Sequence, residues 1–167
     1  MTRNAIRIIG INPGTRYLGI AVLDGHELMD WRIKVLKGRW SKEKMEKTLG
    51  IILDFLEKYQ PNVLAIKKLH PSRRSENLLR MANKIREFSR RKNLKVCQYS
   101  IKELEKFFIE EKKLNKLNLI KAIVQLYPML HHDLTKEKSH KNGYHIRAFE
   151  AIALAASYFR KLNIITQ

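Results

Sequence analysis

Residues 8–22 read Ile8-Ile9-Gly10-Ile11-Asn12-Pro13-Gly14-Thr15-Arg16-Tyr17-Leu18-Gly19-Ile20-Ala21-Val22. Two apolar runs rich in β-branched residues flank a Pro-Gly pair, and such runs read as strands separated by a turn. Worked outward, the first strand spans Ala5 to Asn12 and the second Tyr17 to Leu23. Asp24-Gly25 is a tight-turn dipeptide. It leads into a third strand from His26 to Leu36. Three strands joined by short turns make an antiparallel meander.

Beyond the meander the apolar period changes. Ser41 is placed to cap a helix on which Met45, Leu49, Ile52, Leu53 and Leu56 recur at helical spacing as far as Tyr59. Gln60-Pro61-Asn62 ends it. Val63 to Ile66 is a short continuous apolar run, as expected of a buried central strand. A helix from Ser75 to Arg91 presents Leu78, Ala82, Ile85 and Phe88, and Leu94 to Tyr99 reads as a fifth strand. Ser100 with Glu103 forms a capping box at the start of the next helix. Lys116 to Tyr127 is helical up to Pro128, and Leu130 to Gly143 is polar and reads as a loop. His145 to Leu162 is a last helix with Ala148, Ile152, Ala155 and Phe159 on one face. The order is that of an α/β domain, a mixed five-stranded sheet with helices packed on both faces.

The 167 residues suit a single domain, residues 1–167, and a hydrophobic content of 44% excludes general disorder. No apolar run approaches the ~18 residues of a membrane span. Met1 to Asn4 carries no signal-peptide pattern, and Cys97 is the single cysteine, so a cytoplasmic, reducing setting is expected. The net charge is +18 and the pI ≈ 10.2. Such a surplus fits a polyanionic partner, nucleic acid before an anionic membrane surface, while the bland reading is a lysine-rich background. Half of it is concentrated: Lys67 to Lys95 holds eleven basic residues against Glu76 and Glu87.

The opening segment Ile8 to Val22 resembles the start of RuvC-type Holliday-junction endonucleases, of the ribonuclease-H-like superfamily. Their first strand reads roughly I-x-G-I-D-P-G-[ST]-x-x-x-G-[WY]-[AG]-V. Val63 to Leu69 is similar to that family's strand ending in a catalytic Glu, and Arg147 to Ala155 to its last helix, D-A-A-D-A-L-A-[IV]-A. Tyr99 to Lys106 matches its strand-to-helix stretch, so the likeness runs in order along nearly the whole chain. Ribonuclease-H-like folds have this element order, although the pattern alone also admits other α/β topologies. The resemblance implies Mg²⁺-dependent cleavage of branched DNA by a homodimer.

The departures change that expectation. The family's four metal-binding positions fall on Asn12, Lys67, Arg147 and Glu150, so one carboxylate stands with two cations and a neutral amide. Mg²⁺ takes carboxylate and water oxygens, and a two-ion site needs anions to offset four positive charges. An ammonium ~4 Å from a divalent ion costs several kcal/mol at an effective dielectric near ~20. No metal or other cofactor is therefore expected. Glu150 is expected to pair with Lys67 or Arg147, or the cations to hold phosphate directly.

Other constellations have plainer readings. Asp24 and Asp30 suit turn and edge-strand positions, and His131, His132, Asp133, His140 and His145 match no closed zinc motif. Ser41 and Ser139 lack His/Asp partners at a recognisable spacing. Gly10-x-x-x-Gly14 lacks the Lys-Ser/Thr of a phosphate loop, so its glycines are assigned to strand-to-turn geometry. Trp31, Trp40, Phe107 and Phe108 are core candidates from which one could stack on an unpaired base, with Phe107 or Phe108 favoured by the resemblance. The function expected is binding of branched or structured DNA without cleavage, with phosphates held by Lys67, Lys68, Arg73, Arg74, Arg80, Lys84 and Arg147. The alternatives are an active structure-specific endonuclease with a rearranged metal site around Glu150, and a basic partner for an acidic protein or ribonucleoprotein.

Overall fold

Alternation along the central strands decides the layers. The computed structural model describes residues 5–140 and 143–166. β1 (Arg7–Asn12) pairs antiparallel with β2 (Tyr17–Asp24), and β2 pairs antiparallel with β3 (Glu27–Val35). On the other side of β1, β4 (Val63–Lys67) and then β5 (Lys95–Tyr99) run parallel to it, giving the order β3-β2-β1-β4-β5. This is the mixed five-stranded sheet read from the sequence.

Two cores lie on its two faces. Ile9, Ile11, Ile20, Val22, Leu64 and Ile66 pack with Ile52 and Phe55 of α1 (Lys42–Tyr59) and with Met81 and Ile85 of α2 (Glu76–Arg91). Ile8, Ala21, Val63 and Ala65 face the other way, onto a cluster shared by the remaining helices. These are α3 (Ile101–Phe108), α4 (Lys116–Leu126), α5 (His131–His140) and α6 (Ile146–Thr166). Because strand side chains alternate, Asn12 and Lys67 fall on the α6 face, at the carboxyl ends of β1 and β4.

α6 comes unusually close to the sheet. A Cβ built on Gly10 would lie 2.2 Å from the Ala151 carbonyl oxygen, and one on Gly19 2.4 Å from that of Arg147. Only glycine admits the helix backbone at these points. Gly10 therefore serves helix–sheet approach, not the turn geometry assigned to it from the sequence.

Three expectations are corrected. The stretch read as a loop from Leu130 to Gly143 is helical as far as His140: a 3₁₀ turn, Pro128–Leu130, leads into α5. Leu130 and Leu134 are buried, and the buried Glu137 carboxylate accepts the backbone N–H groups of Gly143 and His145 at 2.8 and 3.1 Å. α6 is buried on every side from Ala148 to Tyr158, not along one face, because the sheet lies under it and α3 and α4 lie over it. The buried stripe of α1 includes Lys44 and Thr48, which an apolar count overlooks. Thr48 Oγ1 donates to the Lys44 carbonyl at 2.8 Å, and Lys44 Nζ to the Gly38 carbonyl at 2.8 Å. Among the described residues no helix is long and apolar enough to cross a membrane.

Candidate nucleic-acid interface

The parallel pairing of β1 and β4 brings Asn12 and Lys67 to one end of the sheet, and the first turns of α6 deliver Arg147 and Glu150 above them. Glu150 is 4% exposed. Its Oε2 accepts from Asn12 Nδ2 at 2.7 Å and from Lys67 Nζ at 3.0 Å. Lys116 Nζ lies 3.7 Å from its Oε1. Lys116 opens α4, where the Asn115 side chain caps the helix by accepting the Asn118 N–H at 2.8 Å. An almost buried carboxylate is thus matched by two ammonium groups and an amide, as a carboxylate removed from water requires.

Of the two pairings expected for Glu150, the structure makes the one with Lys67. Arg147 turns away, its guanidinium 5.2 Å from the centre of the Tyr17 ring. Arg16 lies 5.7 Å from the same ring. Stacking of this kind orients a guanidinium without using its N–H donors, which stay available to an anion.

These groups line an open cleft of ≈ 740 Å³. Seven cations border it: Arg16, Lys67, Lys68, Arg73, Lys102, Lys116 and Arg147. The acids are Glu103 and Glu150. Both are committed, Glu150 as above and Glu103 to the capping box, where its carboxylate accepts the Ser100 N–H at 3.2 Å. Lys67 and Lys116 have Glu150; the other five cations have no acidic partner among the described residues.

The donor set does not fit a divalent ion. A cation beside Glu150 would stand near the Lys67 ammonium, at a cost of about 8 kcal/mol for a ~4 Å separation and an effective dielectric near ~20. The Asn12 amide turns its N–H to the carboxylate, not a carbonyl oxygen. Among the described residues no three His, Cys, Asp or Glu side chains come together in a way that could hold a metal.

The cleft gathers Asn12, Lys67, Lys68, Arg73, Arg147 and Glu150 from the sequence-predicted residues. It does not gather Arg74, Arg80 or Lys84; Lys84 is 3.7 Å from Glu87 on the exposed side of α2. Neither Phe107 nor Phe108 reaches it. Phe108 is core, and Phe107 packs edge-on against Tyr99 at 6.1 Å. Trp31 donates its indole N–H to Asp133 at 3.0 Å. Asp24 pairs with Arg7, and Asp30 accepts from Arg32 and from the Tyr59 hydroxyl. His131 and His132 are exposed, and the side chains of Ser139 and His140 lie outside the described residues. The residues missed are Arg16, Lys102 and Lys116. Arg16 lies inside the quoted turn, and the other two follow the capping residues Ser100 and Asn115, but nothing in the sequence shows that those helix starts converge.

No protein-family model matches the chain, and neither does any curated protein. Among solved structures it is similar to Thermus thermophilus RuvC in complex with a Holliday junction substrate, with a TM-score of 0.74 at 14% identity over 95% of this chain and 96% of that one. A second Thermus thermophilus RuvC structure gives 0.73 at 14% identity, over 96% and 98%. Fowlpox virus resolvase, in complex with its substrate Holliday junction DNA, gives 0.58 at 16% identity, over 92% and 99%. The chain therefore has a RuvC-like, ribonuclease-H-like fold.

Proposed function

We propose that this protein binds branched or structured DNA, such as a four-way junction, and holds its phosphates in the cleft without metal-dependent cleavage. The observation that carries this reading is the Glu150 carboxylate bound to Asn12, Lys67 and Lys116 inside a cation-rich cleft whose other acid, Glu103, is engaged in a helix cap. The ammonium of Lys67 occupies the place of a positive ion and neutralises the carboxylate. Arg16, Lys68, Arg73, Lys102 and Arg147 then face a phosphate backbone with their donors free of acids. The likeness to RuvC and to a viral resolvase, both solved with junction DNA, supports branched DNA as the substrate class. Cytoplasmic, nucleic-acid-associated action as a homodimer completes the reading, since two copies of the cleft would match the two-fold symmetry of a four-way junction.

Binding is tested by fluorescence anisotropy on a four-way junction, a duplex and a single strand across a salt series. Five phosphate contacts should give log affinity against log salt a slope of about −4 to −5, with the junction bound tightest. A flat salt response, or equal affinity for all three after heparin competition, contradicts the reading and favours an acidic protein partner. Sedimentation of the free and junction-bound protein tests the homodimer.

A further inference from the structure

A second cavity, of ≈ 640 Å³, adjoins the cleft and shares Thr15 and Arg16 with it. Its charged lining is Arg16, Lys37 and Lys44, with no Asp or Glu. Trp40 forms part of the wall, half-buried against the α1-side core, and its indole N–H donates to no protein group among the described residues. Lys44 is 9% exposed, yet among the described residues its ammonium has a single acceptor, the Gly38 carbonyl, so two of its three donors remain for a ligand. Ser75 and Asn77, at the start of α2, close the far side.

An aromatic face beside cations, with no acid, has the chemistry of a nucleotide: the ring takes a base and the cations take its phosphates. A base stacked inside a duplex has both faces covered, so a walled pocket of this kind takes a base that has left the stack. We infer that this pocket receives an unpaired nucleotide of the same nucleic-acid strand that enters the cleft, with its base stacked on Trp40 and its phosphates held by Arg16, Lys37 and Lys44. The inference rests on the proposed nucleic-acid binding and adds a subsite to it. It also moves the stacking role from Phe107 and Phe108, which the fold buries or turns away, to a tryptophan well ahead of Lys67, where the basic run begins.

The test compares oligo(dT) with a duplex of equal length. Trp40→Ala should weaken oligo(dT) binding about tenfold and duplex binding less than twofold, and Trp40→Phe should recover most of the loss. In a Trp31→Phe background only Trp40 reports, and its fluorescence should be quenched by oligo(dT) and not by duplex. This second readout needs no change at Trp40, so it stands if Trp40→Ala fails to fold. Absent quenching, or equal losses on both ligands, overturns the subsite while leaving the cleft intact. Failure of the unmodified protein to bind oligo(dT) overturns the subsite, and failure to bind a four-way junction in the same assay overturns both.

Discussion

The basic run from Lys67 to Lys95 divides in the structure into two regions of different kind. Lys67, Lys68 and Arg73 join Arg16, Lys102, Lys116 and Arg147 around a concave cleft, where the acids are already engaged. Along α2 the charges lie on an exposed helix surface, and part of them is already paired. Lys84 and Arg91 pair with Glu87, and Arg86 donates to Gln98 and Asn83. What separates the two regions is curvature: the cleft gathers cations from several elements around one concavity, whereas those of α2 stand along one exposed helix. A cation without a partner, beside other such cations, gains more from a phosphate than one in an exposed helical pair.

The largest effect should come from reversing charge in the two regions in turn. Lys68→Glu with Arg147→Glu should lower junction affinity by about 100-fold or more and flatten the salt slope by roughly two, since each removes a charge-assisted contact. Arg80→Glu with Lys84→Glu should cost about threefold. Anisotropy at fixed salt separates the two, and equal losses would erase the distinction between cleft and helix.

A smaller effect concerns stability. Lys67→Met leaves the Glu150 carboxylate, 5% exposed at its side chain, with one ammonium fewer, and should destabilise by about 3 kcal/mol, the lower part of the range because Lys67 itself is 25% exposed. Glu87→Ala, which breaks exposed pairs on α2, should change stability by about 0.5 kcal/mol or less. Adding Glu150→Leu to Lys67→Met should recover most of the loss, because no buried charge then remains. Urea unfolding measures all three.

The smallest is a pH effect at the cleft edge. Burial, reinforced by Cys97, pushes the Tyr99 phenol well above its ordinary value, and the Tyr99 carbonyl accepts the Lys68 N–H at 2.8 Å. A raised folded-state value means that the native protein holds the proton more tightly than the unfolded chain. The stability this contributes is full below pH ~10, the unfolded value, and declines as pH rises above it. Thermal unfolding between neutral and strongly alkaline pH should show the decline, and Tyr99→Phe should shrink it.

Much of this was legible in advance, for local reasons. The Ile8–Val22 ribbon carries its own turn, and the Ser100–Glu103 capping box forms within four residues, so neither needs distant neighbours. The pairing of Glu150 with Lys67 followed from placing two segments in one fold. Three features depended on packing and had no local signal. α5 has a single leucine, Leu134, in ten residues, and its hold is Glu137 accepting backbone groups beyond its end. Lys44 and Thr48 are polar residues in a buried stripe, each bonded to a carbonyl a few residues back, and it is the packing of α1 that buries them. Lys116 reaches Glu150 across 34 positions because α4 lies over α6, and the Trp40 pocket exists only where the β1–β2 turn meets the starts of α1 and α2.

The most direct test of a metal-free phosphate clamp is junction binding and cutting in one tube, with EDTA or with Mn²⁺. Equal affinity in both, with the junction intact, is the expected result. Strand cleavage that requires Mn²⁺ and disappears in Glu150→Ala would contradict it and make the cleft a nuclease site.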